Sequence, residues 1–137
     1  MVNFYLSPSN FCFHQYRELL HGILALGWKP THVWPVEAFK INSFLKSKAL
    51  TQSVKAISRS DMFIAYVPGS SNAYFEVGLA YSLCEEIFLA SKDPVYFTQT
   101  GLADSYIPSL SGIKRTCCTP AQIPLMLRKE YAYLVKS

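Results

Sequence analysis

Apolar positions along the chain fall into two spacings, and the changes from one to the other mark its elements. Val2 to Leu6 is a short apolar and aromatic run that stops at Ser7-Pro8-Ser9-Asn10, which predicts a first strand opening into a polar loop. From Phe11 to Leu26 the positions Phe13, Tyr16, Leu19, Leu20, Ile23 and Leu24 recur at spacings of three and four, and Gly27 closes the pattern as a C-terminal glycine does. Trp28 to Trp34 contains a second short strand, centred on His32-Val33-Trp34 and ended by Pro35. Ser43 to Ser58 follows as a helix with Phe44, Leu45, Leu50, Val54 and Ile57 inward. Met62 to Val67 is continuously apolar, the pattern of a central parallel strand covered on both faces. After a turn at Pro68 to Asn72, Ala73 to Cys84 is helical, with Tyr74, Val77, Ala80, Tyr81 and Cys84 on related faces. Ile87 to Ala90 makes a fourth strand, Ser91 to Ser111 combines a loop with a short helix, and Arg115 to Cys118 is a last short strand. Thr119-Pro120-Ala121-Gln122 supplies an N-cap, a proline at the first helical position and a capping-box glutamine, so a final helix runs to about Val135.

Strands alternating with helices predict an α/β, three-layer flavodoxin/Rossmann-like fold, with a central parallel sheet of about five strands and helices on both faces. A single domain spanning 1–137 is expected, since the length is that of one ordinary domain and no repeat or low-complexity segment interrupts it. Ligands of such sheets bind outside the carboxyl ends of the strands. That places weight on the loops Ser7 to Asn10 and Pro68 to Asn72, each rich in hydroxyl and amide groups and each preceding a helix whose first N–H groups attract anions. Composition alone favours Ser9, Asn10, Ser70, Ser71 and Asn72 as plain N-caps. Glu76 falls in the first turn of the helix after the central strand, where the helix dipole also favours a carboxylate.

Composition narrows the function classes. Half the residues are hydrophobic, yet no run of about 18 apolar residues exists to span a bilayer. The N-terminus lacks the basic and apolar regions of a signal peptide, so a soluble, cytoplasmic protein is expected. The net charge of +4 is mild and the Lys and Arg residues are scattered, which suits a small phosphorylated ligand better than a nucleic-acid polymer. Cys12, Cys84, Cys117 and Cys118 have neither disulfide-framework nor zinc-site spacing, and the adjacent Cys117 and Cys118 should point to opposite sides of an extended segment. No metal or organic cofactor is signalled.

The segment Ser60-Asp61-Met62-Phe63-Ile64-Ala65-Tyr66-Val67, the Ser/Asn loop and Tyr74-Phe75-Glu76-Val77-Gly78-Leu79-Ala80 together resemble the nucleoside 2-deoxyribosyltransferase superfamily. Its members carry an Asp opening a hydrophobic strand, a short polar loop and a Glu-(hydrophobic)-Gly-x-Ala helix. Phe4-Tyr5-Leu6-Ser7-Pro8-Ser9 looks like that family's first strand and ligand loop, and the resemblance extends to about residue 90. It implies that Glu76 attacks the anomeric carbon of a nucleoside or nucleotide, displaces the base and forms a glycosyl-enzyme ester resolved by water or a second base. Tyr5 matches a tyrosine beside the nucleophile, with a half-buried strand tyrosine as the plain alternative.

Two departures shape the reading. Base-exchanging transferases have an Asp at the position of Ser70, whereas Ser70 resembles the phosphate-binding serine of the 5'-monophosphate hydrolase branch, so a nucleotide is implied over a free nucleoside. A second family Asp falls at Ser53, so a group that positions sugar or base is missing there, and Pro8 stands where the hydrolases are glycine-rich. The resemblance therefore implies an N-glycosidase acting on a (deoxy)nucleoside 5'-monophosphate. Glu76 and Tyr5 would be catalytic, and Ser7, Ser9, Asn10, Arg17, Ser70, Ser71 and Asn72 would hold substrate and phosphate. His21 and His32 read as structural, and Asp61 as a brace at the amino end of the central strand. A homodimer or larger homo-oligomer is implied, with Ser109 or Ser111 supplied across the interface. The other readings are a nucleotide-binding module without turnover, a base-exchanging transferase and an NAD glycohydrolase.

Overall fold

The computed structural model describes residues 1–40, 46–67, 71–94 and 112–135, without the side chains of 46–48 and 71–72. Five parallel strands form one sheet: β1 (Asn3–Leu6), β2 (Lys29–Pro30), β3 (Met62–Val67), β4 (Glu86–Ser91) and β5 (Lys114–Cys117), in the order β2-β1-β3-β4-β5. The register pairs Tyr5 with Phe63, Phe63 with Ile87 and Phe88 with Lys114. Four helices connect and flank the strands: α1 (Phe13–Leu24), α2 (Lys46–Ser58), α3 (Ser71–Leu83) and α4 (Ile123–Glu130). α1 packs with α4, and α2 with α3. Right-handed crossovers place those two pairs on opposite faces, because the chain steps one way from β1 to β2 and the other way from β2 onward. The expected three-layer α/β architecture is the one observed.

β3 and β4 are central because their side chains are apolar on both faces; Phe63, Ile64, Phe88 and Leu89 are fully buried. At their amino ends Asp61 braces the sheet as expected, its carboxylate accepting from the Asn3 N–H at 2.9 Å while its own N–H donates to the Asn3 carbonyl at 2.8 Å. The order reverses between β1 and β3, which opens a crevice at the carboxyl ends of those two strands.

Several boundaries and faces differ from the sequence reading. The second strand is Lys29–Pro30, not His32-Val33-Trp34. The ladder ends when the Thr31 N–H donates to the Phe4 carbonyl at 2.8 Å, and the Trp34 N–H goes instead to the Tyr16 hydroxyl at 3.1 Å. Buried Trp34 beside exposed Val33 mimics strand alternation in a segment held by side chains. α1 begins later than Phe11, after Asn10 takes a left-handed φ of 74° and Cys12 donates its N–H to Gln15 Oε1 at 3.1 Å. Gly27 ends the helical segment as expected, with φ 86°. On α2 the buried stripe is Ser53, Ala56 and Ile57, while Leu50 and Val54 are 41% and 37% exposed. The small side chains allow the close approach to α3 and the sheet. The last helix starts with the expected Thr119/Gln122 box, but stops at Glu130 and is followed by a 3-10 turn over Ala132–Leu134, where Tyr131 packs on Trp28. Cys118 is buried and Cys117 exposed, the opposite orientations expected.

Among the described residues, no helix is long and apolar enough to cross a membrane.

The α1–α4 contact sets a test of packing. A Cβ on Gly22 would stand 2.7 Å from Pro124 Cγ. Alanine normally favours a helix interior by about 1 kcal/mol over glycine, but overpacking against a rigid ring costs about 1–3 kcal/mol. Gly22→Ala is therefore expected to lower the urea midpoint. An unchanged or higher midpoint would show that α4 yields without cost.

Candidate active site

Strand alternation turns Phe4 and Leu6 to one face of β1 and Tyr5 to the other, with Ser7 continuing the Tyr5 side just past the strand end. β3 runs beside it and leads to α3, whose buried stripe is Ala73, Glu76, Val77 and Ala80. Glu76 thus comes to lie over the carboxyl end of β1 with only 5% of its surface exposed. Since α3 starts at Ser71, Glu76 sits one turn further along than the sequence implies, beyond the strongest influence of the helix dipole. Hydroxyl donors from the neighbouring elements hold it instead.

The Tyr5 hydroxyl donates to Glu76 Oε2, and the Ser7 hydroxyl donates to Glu76 Oε1 at 2.8 Å. Ser53 of α2 lies 3.2 Å from the Tyr5 oxygen. Because the single phenolic proton is directed at Glu76, Ser53 is the donor in that contact. The Tyr5 ring lies against Phe63, with centroids 5.8 Å apart and planes 16° from parallel. Four elements therefore converge on one carboxylate.

Burial pushes the Glu76 carboxyl above its ordinary value, and the nearby hydroxyls of Tyr5, Ser7 and Ser53 pull the other way without cancelling it. The Tyr5 phenol is pushed well above its ordinary value, first by burial and then by the negative charge of Glu76. Among the described residues no Lys, Arg or His forms an ion pair with Glu76. Neutral hydroxyl donors orient this carboxylate.

Trp34 adds a further donor. It is 4% exposed, and its indole nitrogen is buried with no hydrogen-bond partner among the described residues. The indole N–H acts to lower the proton affinity of the Tyr5 phenol, against the larger effect of burial. Buried donors of this kind are rare and call for an explanation.

The remaining sequence candidates fall in several places. Ser7, assigned to phosphate, is fully buried and gives its hydroxyl proton to Glu76, so it orients the carboxylate. Ser9 is half-buried in the loop after β1. The Asn10 amide donates to the Tyr66 carbonyl at 2.6 Å, tying that loop to β3. Arg17 is exposed on the second turn of α1. Ser71 and Asn72 open α3, their side chains lying outside the described residues, as do Ser70, Ser109 and Ser111 altogether.

Ser53 and Trp34 were not chosen as site residues from sequence. The signal for Ser53 is a small polar residue three and four positions before Ala56 and Ile57 on the inward stripe of α2. Trp34 offered no signal, because its position depends on Tyr16 and the path after β2. No cluster of three metal-ligating side chains occurs among the described residues.

The structure of a CMP N-glycosidase from Clostridium botulinum aligns with this chain at a TM-score of 0.61, over 91% of this chain and 97% of that one, with 16% sequence identity. No protein-family model and no curated protein matches the sequence. The likeness confirms the fold expected from the sequence resemblance.

A raised Glu76 pKa means that the folded state binds this proton more tightly than the unfolded chain does. Its stabilising contribution is complete below the unfolded value and is lost as pH rises through the folded value. Glu76→Gln is accordingly expected to melt above the native chain at pH 7–8, with the gap narrowing as pH falls through the folded value and closed below about 4. A variant less stable at every pH would show that the hydrogen bonds to the carboxylate outweigh its burial.

Proposed function

We propose that this chain is an N-glycosidase that hydrolyses the bond between base and sugar in a nucleoside 5'-monophosphate, with Glu76 as nucleophile. The observation that carries the reading is the buried Glu76 carboxylate held by Tyr5 and Ser7 at the sheet's topological switch. A Glu76 oxygen attacks the anomeric carbon as the base leaves, and water then opens the glycosyl ester and restores the carboxylate. Tyr5 keeps the nucleophile oriented and bounds the sugar. Ser9, Asn10, Arg17, Ser70, Ser71 and Asn72 form the phosphate side, using the loop after β1 and the first N–H groups of α3. No cofactor is needed for these steps.

The fold of the CMP N-glycosidase supports the same class of activity. A dimer or larger assembly belongs to the proposal because α3 is apolar around its circumference, which in a monomer leaves Phe75, Tyr81 and Leu83 exposed. Ser109 or Ser111 would reach a neighbouring site across the interface.

Glu76-dependent base release is expected from at least one member of a panel of ribo- and deoxyribonucleoside 5'-monophosphates, nicotinamide mononucleotide, NAD and free nucleosides, read by chromatography. Glu76→Ala should abolish it. Release confined to free nucleosides, or equal in the variant, would refute the reading. Nucleotide binding with no release from any compound would mark a binding module instead. Sedimentation should give at least a dimer, and Phe75→Glu should shift it toward monomer; a native monomer would remove the assembly.

A further inference from the structure

We infer that the base released at this site carries a positive charge at the nitrogen joined to the sugar or elsewhere in its ring system, as in a pyridinium or N-alkylated purine nucleotide. The inference rests on the N-glycosidase reading and specifies its substrate class. Cleaving a glycosidic bond to a neutral base leaves an electron pair that requires a proton, and retaining glycosidases place a second carboxyl group there to give it. Here Glu76 is the only buried acid among the described residues. Asp61 and Glu86 stand at the amino ends of their strands, the opposite end of the sheet.

The groups gathered round Glu76 are the hydroxyls of Tyr5, Ser7 and Ser53, with the Trp34 indole N–H acting on Tyr5, all neutral. Serine hydroxyls and indole are far too weakly acidic to protonate a departing base. The Tyr5 proton already points at Glu76, and burial together with that carboxylate holds it on the phenol. This arrangement can push electrons toward a sugar but has little means of supplying a proton.

A cationic base removes the need. Glu76 forms a bond to the anomeric carbon while the C–N bond breaks, its electron pair passing into the charged ring system, which departs neutral. Water then bonds to the anomeric carbon, the ester C–O bond breaks with its pair returning to Glu76, and the proton of the water passes to solvent. The sum is cationic nucleotide plus water giving neutral base, sugar phosphate and a proton. Electrostatics point the same way: a buried carboxylate without an ion-pair partner among the described residues is complemented by a ligand cation.

The test compares matched nucleotides: 7-methylguanosine 5'-monophosphate against GMP, and nicotinamide mononucleotide against CMP, with Glu76→Gln subtracting spontaneous cleavage. The cationic members should exceed their neutral counterparts by about 100-fold or more in kcat/KM, the usual worth of one general acid. Asp93→Asn, at an exposed acid just past the carboxyl end of β4, and Asp104→Asn, at an acid outside the described residues, should leave their release unchanged. Neutral nucleotides cleaved as fast as cationic ones, or loss of release in either Asp variant, would overturn the inference while leaving the N-glycosidase reading intact. No Glu76-dependent release from any nucleotide would overturn both. Ser53→Asp offers a second measurement: a carboxyl beside Tyr5 should raise cleavage of GMP and CMP relative to the cationic pair, and a ratio that stays fixed counts against the inference.

Discussion

The paired donation of Tyr5 and Ser7 to the two oxygens of Glu76 is the contact on which the arrangement of this molecule turns. A lone buried carboxylate is costly, and its cost falls only when several donors are fixed around it. Here those donors come from the first strand and the loop after it, with Ser53 of α2 backing Tyr5, so β1 must lie beside β3 and α2 must approach closely enough to bring Ser53 to Tyr5. The small side chains along the buried stripe of α2 make that approach possible. Sheet order, helix packing and carboxylate orientation are thereby one constraint expressed at three levels.

The same constraint explains the balance between stability and chemistry. Burial raises the proton affinity of Glu76, while the hydroxyls favour its ionised form. A surface carboxylate would be more comfortable and less oriented. The sheet around it supplies the rigidity: Phe63 underlies Tyr5, and Asp61 fastens β1 and β3 at the far end without entering the site.

Much of this was legible in the sequence, and the exceptions have physical causes. Met62–Val67 was readable to the residue because six successive apolar side chains between a polar turn and a loop leave little choice. The capping box at Thr119 and Gln122 is local chemistry and survived intact. Glu76 and Tyr5 were singled out by the family resemblance and meet in the structure. By contrast, Trp34 is placed by a hydroxyl from α1, a tertiary fact that no window of sequence contains. The face of α2 was misread because the larger apolar residues Leu50 and Val54 define a stripe, while packing chose the smaller ones. Ser53 looked like a missing acid and is instead a donor to Tyr5.

The brevity of β2 has a consequence for how molecules of this protein can meet. Lys29 and Thr31 both turn their N–H groups toward β1, donating to the Val2 and Phe4 carbonyls, so the intervening residue presents its backbone nitrogen to the outside. That residue is Pro30, which has no hydrogen to give. An extended chain arriving at this border finds no donor at the place where a sixth strand would begin pairing. The sheet is closed to growth on that side by one ring of atoms.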